Sequence, residues 1–211
     1  AAYNLTTQAD LEQVNLSLYF CPSRRRPTTQ QGRYLMDYAA ATPGPHPVSA
    51  NGDSNGFWQG DTWDVPHGKT WRGIVVRTNW DIRPTNSSDP PEEAGSTPPV
   101  RFGDVRDGLS NTLLIGEKRL APDRYESGDW HDDRGWTDGW DPDIMRSTEF
   151  PILPDGSNGN FGYMFGSPHP GVMMAVFGDG SVHAITLSID RELFNNLGDR
   201  MDGEIVDLSD L

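Results

Sequence analysis

The clearest hydrophobic pattern in the chain lies near its end. Val172 to Phe177 is an unbroken apolar run, bounded by Pro170-Gly171 before it and by Gly178-Asp179-Gly180 after it. Runs of that length between turn residues read as buried strands. Asp179-Gly180 is a preferred pair for a two-residue type I′ loop, whose central residues both need φ > 0. That loop pairs Phe177 with Val182, Ala175 with Ala184 and Met173 with Thr186, and puts Val176 with His183 and Met174 with Ile185 on the opposite face. Both faces are then mostly apolar, which predicts a central hairpin over 172–187 covered on both sides.

Other elements follow from the same patterning. Leu16 to Phe20 alternates and predicts a strand entering the core, Arg33 to Ala40 a short strand with Asp37 anchoring a nearby loop, and Asn111 to Glu117 a second core strand. Asp107-Gly108 predicts a turn before that strand, where Ser110-Asn111 suits side-chain bonds to the backbone. Thr7, with Asp10 three residues on, can cap a short helix within Leu5 to Gln13. Ser188 can cap a second over Ile189 to Leu197, with Gly198 placed as its C′ residue. From Thr42 to Pro99 the chain turns rich in Pro, Gly, Ser and Asn; Thr70 to Val76 is the one strand predicted there, and Thr85 to Pro99 reads as a disordered tip. Glu204 to Leu208 alternates as an edge strand would. The fold expected is α+β: one globular head domain over 1–211, an antiparallel sheet around the 172–187 hairpin with Leu113–Glu117 and Leu16–Phe20 alongside, and loop-rich insertions at about 42–99 and 121–164.

Composition narrows the partners. The formal charge is −14, which opposes binding to nucleic acid and to anionic lipid while tolerating divalent cations. No stretch approaches the ~20 apolar residues of a membrane span, and no signal peptide is evident. The single cysteine, Cys21, can pair with another chain or with a segment outside this sequence, or be a small buried residue.

Four segments in order resemble a known family. His169, nine intervening residues and Asp179-Gly180 form an H-x(9)-DG pattern; Phe20-Cys21-Pro22-Ser23-Arg24-Arg25 is similar to an F-x-CPSR segment; Asp37-Tyr38-Ala39-Ala40 is similar to a DYA segment; and Asp107-Gly108-Leu109-Ser110-Asn111-Thr112 begins a DG-x-SNT strand ending at Glu117. Together they resemble the prepilin-type processing-associated H-x(9)-DG family of pseudopilin-like proteins, known best from planctomycetes. The resemblance implies a prepilin leader, a long apolar helix and a stem ahead of a globular head. The sequence starts at Ala1-Ala2-Tyr3-Asn4, which resembles a point downstream of such a stem. The expectation is a head whose membrane contact would run only through that N-terminal helix. The motif residues Cys21, Asp107, Gly108, Asn111, His169, Asp179 and Gly180 are expected to be structural.

Candidate chemistry is sparse. A strand between His169 and Asp179 sets them roughly 20–25 Å apart, so the pair cannot share an ion or a proton. Asp179 is then a turn residue, and His169, between Pro168 and Pro170, fixes a loop through its ring or ligates a metal. Asn51 to Gly56 begins like a calcium loop, with Asp53 and Asn55 as oxygen ligands, but has Thr62 where a Glu is needed. His131, Asp132, Asp133, Asp138, Asp141 and Asp143 crowd among Trp130, Trp136 and Trp140. They read as a solvated acidic loop pinned by Trp, as a Ca2+ site, or as a sugar-binding surface. The Arg24-Arg25-Arg26 cluster reads as a solvated turn or a contact with an acidic neighbour. There is no phosphate loop, and no acid can be named to orient Ser167 and His169, so no enzyme is expected.

The leading expectation is a non-catalytic structural subunit or accessory of a type II secretion or type IV pilus-like assembly on the cell surface, meeting pilin-like subunits or other copies of itself. The rival is an extracellular module binding glycan or calcium through its Trp/Asp-rich loops, and a metal-dependent hydrolase is third. Buried Trp rings favour the first and a concave exposed row the second.

Overall fold

A computed structural model describes residues 7–46, 48, 57–58, 71–82, 93–156, 162–204, 206–207 and 211, apart from the side chains at 80–82 and 93–94. The architecture is α+β. Its centre is a five-stranded sheet built from β3 (Tyr38–Thr42), β6 (Leu113–Glu117), β7 (Met145–Ser147), β10 (Val172–Phe177) and β11 (Val182–Thr186), in the order β11-β10-β6-β3-β7. All neighbours are antiparallel except β3 and β7, which run parallel. Two-stranded sheets flank it: β1 (Thr29–Gln30) with β2 (Arg33–Tyr34), β4 (Asn79–Ile82) with β5 (Glu93–Ser96), and β8 (Leu153–Pro154) with β9 (Gly166–Ser167).

The hairpin forms where the apolar run predicts it, but in another register and place. Val176 pairs with Val182, Ala175 with His183 and Met173 with Ile185. The loop has three residues, not two: Gly180 N–H bonds to the Phe177 carbonyl at 2.9 Å and Phe177 N–H to the Ser181 carbonyl at 2.9 Å. Gly180 sits at φ +86°, and the Asp179 carboxylate accepts from Ser181 N at 2.8 Å and Oγ at 2.6 Å. A turn closed by a left-handed residue is the usual three-residue hairpin loop. The extra residue shifts every pair by one, which exchanges the faces of β11. Ile185 is therefore buried, while Val182 is 60% exposed. The hairpin is also not central. β11 is the sheet edge, and only one face is covered: Met173, Ala175 and Phe177 are buried, whereas Met174 on the other face is 37% exposed.

The covered face holds the core. Ala39, Ala41, Leu113, Ile152, Phe165, Met173 and Phe177 pack with Phe194 and Leu197 of α2 (Arg191–Gly198). A bulge lets both Ile115 and Leu113 serve β10: Ile115 pairs with Val176 and Leu113 with Phe177, skipping Leu114. Gly116 lies directly beneath the Phe165 ring, where a Cβ would press on ring carbons. The cap of α2 is Asp190, whose carboxylate accepts from Leu193 N at 3.1 Å, rather than Ser188. Gly198 ends the helix from inside; it is required because Thr148 packs against its backbone, not as a left-handed C′ residue. The N-terminal helix α1 (Gln8–Glu12) carries the expected Thr7–Asp10 capping box.

Other expected strands are replaced for identifiable reasons. Leu16–Phe20 is not a strand; Ser17–Tyr19 forms a 3-10 turn, and the neighbour of β6 is β3. The backbone there is tied crosswise, because Asp37 N–H bonds to the Tyr19 carbonyl at 2.8 Å and the Asp37 carboxylate takes Cys21 N–H at 2.8 Å. Arg33 to Ala40 divides between β2 and β3. In the described part of Thr70–Val76 there is no strand: Arg200 Nη1 donates to the carbonyls of Trp71 (2.7 Å) and Gly73 (2.9 Å), which a ladder would otherwise use. Glu93–Ser96, expected in a disordered tip, is β5. The described residues of Glu204–Leu208 carry no strand. No helix among the described residues is long and apolar enough to cross a membrane.

Candidate functional site

Parts of the motif segments meet at one end of the sheet, where β3 and β6 bring Asp37, Glu117 and Lys118 together. Arg25 of the CPSR segment donates to Asp37 Oδ1 through Nε (2.7 Å) and to both oxygens of Asp132 through Nη1 (2.7 Å) and Nη2 (3.0 Å). Lys118 Nζ reaches Asp132 Oδ1 at 2.9 Å and the Asp143 carbonyl at 3.1 Å. Arg24 bonds to Asp155 (2.9 Å) and to the carbonyls of Asp37 (3.2 Å) and Lys118 (2.8 Å). All of these side chains are buried. The arginine cluster is thus not a solvated turn; of the three, only Arg26 is exposed. Burial opposes charge on Asp132, yet Lys118 and Arg25 hold its carboxyl well below the usual carboxylate range. Asp132 is fully engaged in these pairs.

Beside this knot, Cys21, Glu117 and His169 converge. His169 Nε2 lies 3.3 Å from Glu117 Oε1 and 3.7 Å from Cys21 Sγ. Glu117 Oε2 is occupied on its far side, accepting from Ser167 Oγ and from Met174 N, each at 2.9 Å. The same Ser167 hydroxyl accepts from His169 N at 3.0 Å. Cys21 and Glu117 are buried, and the His169 side chain is 28% exposed. Burial pushes the Cys21 thiol up, with the Glu117 carboxylate adding to the shift. One imidazole nitrogen faces both partners, which is not the relay of a nucleophilic triad, where the base uses one nitrogen for the nucleophile and the other for the acid. A thiol held protonated is also a poor nucleophile.

The remaining sequence candidates separate. Asp179 and Gly180 lie in the hairpin loop, at the far end of β10 from His169. Asp107 binds the backbone of a distant segment: its carboxylate accepts from Asp202 N (2.9 Å) and Gly203 N (3.0 Å), while Asn111 Nδ2 donates to its carbonyl at 2.9 Å. Gly108 supplies the positive φ, +98°, of that turn. Asp138, Asp141 and Asp143 come within 4.8 Å of one another, but as staples of their own loop. Asp143 Oδ1 accepts from the amides of Asp133 (2.8 Å), Arg134 (2.9 Å) and Gly135 (3.0 Å), and Asp141 Oδ1 takes Asp143 N–H at 3.1 Å. Burial and the Asp143 charge raise Asp133 to about 6 and Asp141 to about 7. Asp53 and Asn55 lie outside the described residues.

Two further features bear on function. The uncovered sheet face forms an apolar groove of about 540 Å³, to which Leu18, Ile115, Trp136, Met174, Val176 and Val182 contribute. Three of the described Trp rings meanwhile pack inward. Trp140 Nε1 donates to the Phe57 carbonyl (2.9 Å), Trp58 Nε1 to Tyr163 OH (2.8 Å), and Trp71, fully buried, lies 5.8 Å from Trp140. Among the described side chains only Trp130, 49% exposed, resembles a free platform.

Sequence reasoning missed Glu117, Lys118 and Ser167 as site residues. The signal available was a Glu-Lys pair directly after an apolar strand, since charges there must be either solvated or paired. A family model described as a protein of unknown function (DUF1559) matches residues 1–192. No curated protein and no solved structure matches the chain. With nearly all of its length covered, the chain belongs to the DUF1559 family, the planctomycete-type H-x(9)-DG family.

Proposed function

We propose that this chain is a non-catalytic structural subunit of a type II secretion or type IV pilus-like assembly at the cell surface, and that its open sheet face seats the apolar helix of a neighbouring pilin-like subunit. The observation that carries the reading is the groove on that face. It crosses β11, β10, β6 and β3, and three strand spacings of ~4.8 Å give a strip about 14 Å wide. A helix with its side chains is about 10–12 Å across, so the strip seats one. Soluble chains rarely leave such a continuous apolar patch open unless it is a contact surface. The chain's formal net charge of −14 disfavours anionic lipid and nucleic acid as occupants. The inward-packed Trp rings support the same reading over a glycan module.

The test is a pair of charges on the groove. Met174→Lys with Val182→Lys replaces two side chains already open to solvent, so folding stability should change by only about 0.5 kcal/mol per site. Incorporation into the assembly should be lost, read by fractionation of surface filaments. A doubly substituted chain that folds and assembles normally would overturn the proposal.

A further inference from the structure

We propose that Cys21, Glu117 and His169 form a binding site for one transition-metal ion, Zn2+ by preference, with a fourth position open to solvent. The geometry is that of ligands around an absent centre. One ligand atom from each of the three residues lies within 4.8 Å of the other two. Zinc bonds of ~2.3 Å to sulfur, ~2.0–2.1 Å to nitrogen and ~2.0–2.2 Å to oxygen, at tetrahedral angles, require S···N near ~3.6 Å and N···O near ~3.3 Å. The observed separations are 3.7 Å and 3.3 Å. A single imidazole nitrogen pointing at both other groups is what a shared ion needs.

The supporting shell is already set. Ser167 Oγ and Met174 N hold Glu117 Oε2, so that Oε1 turns toward the other two ligands, and Ser167 also fixes the backbone of His169. The Asp37 carboxylate anchors the Cys21 backbone. Such second-shell contacts orient metal ligands and tune their affinity. A thiolate, imidazole and carboxylate set suits zinc and its neighbours in the transition series, not Ca2+ or Mg2+, which want oxygen alone. Entry is on the exposed side of His169. As the sulfur–metal bond forms, the Cys21 S–H proton passes to water. The acidic group at Asp138, Asp141 and Asp143 differs in kind: it offers oxygen alone, and Asp143 Oδ1 and Asp141 Oδ1 already accept from backbone amides.

Cobalt(II) tests the site, and Cys21 is the only cysteine in the chain, so any thiolate signal has one source. Titrating residues 1–211 with Co2+ should give, at one equivalent, tetrahedral visible bands and a near-ultraviolet thiolate-to-cobalt charge-transfer band, both bleached by one equivalent of Zn2+. Cys21→Ser should lose the charge-transfer band. Ser167→Ala, which touches no ion, should weaken cobalt binding about 10–100-fold. His169→Ala, at a partly exposed position, should abolish one-equivalent binding while its far-ultraviolet circular dichroism stays that of the parent. No charge-transfer band in the parent chain, or full binding in a folded His169→Ala, would overturn the proposal.

Discussion

Asp132→Ala is expected to cost roughly 3–5 kcal/mol of folding free energy, because it strands the buried Lys118 and strips the buried Arg25 of one of its two carboxylates. Asp132 receives Arg25 through two bonds and Lys118 through a third, and none of the three side chains reaches solvent. Removing the carboxylate leaves Lys118 desolvated without its ion pair and Arg25 with Asp37 as its remaining counter-charge. For a chain of this size each kcal/mol moves the melting temperature by about 2–4 °C, so the fall should be on the order of 10 °C. The pairs are shielded from bulk ions, so added salt should change the difference little. Thermal melts at low and high ionic strength check both statements. A loss under about 1 kcal/mol, or one erased by salt, would mean that Asp132 is solvated rather than the centre of the knot.

Phe165→Ala is expected to cost a similar amount, about 3–5 kcal/mol, through a different mechanism. Phe165 is fully buried, meets Phe194 edge-on at 5.9 Å between ring centroids, and fills the space that Gly116 leaves in β6. Truncation opens a cavity between sheet and helix, and a glycine cannot grow to fill it. The urea midpoint should drop with an unchanged slope, since the surface exposed on unfolding is nearly the same. Phe102→Ala is the matched control: that ring is 81% exposed, and its loss should stay within about 0.5 kcal/mol.

Much of the sheet was legible in the sequence because its signals are local. The apolar run 172–177 between turn residues, the strand at Leu113–Glu117 and the Thr7–Asp10 cap all depend on neighbours a few residues apart. The hairpin register was not legible, since the Asp-Gly pair serves a two-residue loop and, as here, the end of a three-residue one. The place of Val182 on the open face was missed with it, because the one-residue shift turns that side chain outward. The charged knot and the Cys21–Glu117–His169 site were hidden for another reason. Arg25 meets a partner 107 residues away, Arg24 one 131 away, and Cys21 and His169 are separated by 148. Composition near Arg24 shows three basic residues and nothing of the carboxylates that fold onto them. The four motifs could be read in order along the chain, but not that three of them place side chains around one point.

The reading of this chain as a structural subunit stands or falls on what meets the sheet's open face. A photo-crosslinking residue at Val182, in cells that build the assembly, tests this most directly, with the same probe at Phe102 as an exposed position outside the groove. The account predicts a crosslink from position 182, and not from 102, to the apolar helix of a pilin-like subunit, identified by mass spectrometry. Equal labelling from both positions, or a crosslink from 182 to glycan or to another copy of this head, would contradict it.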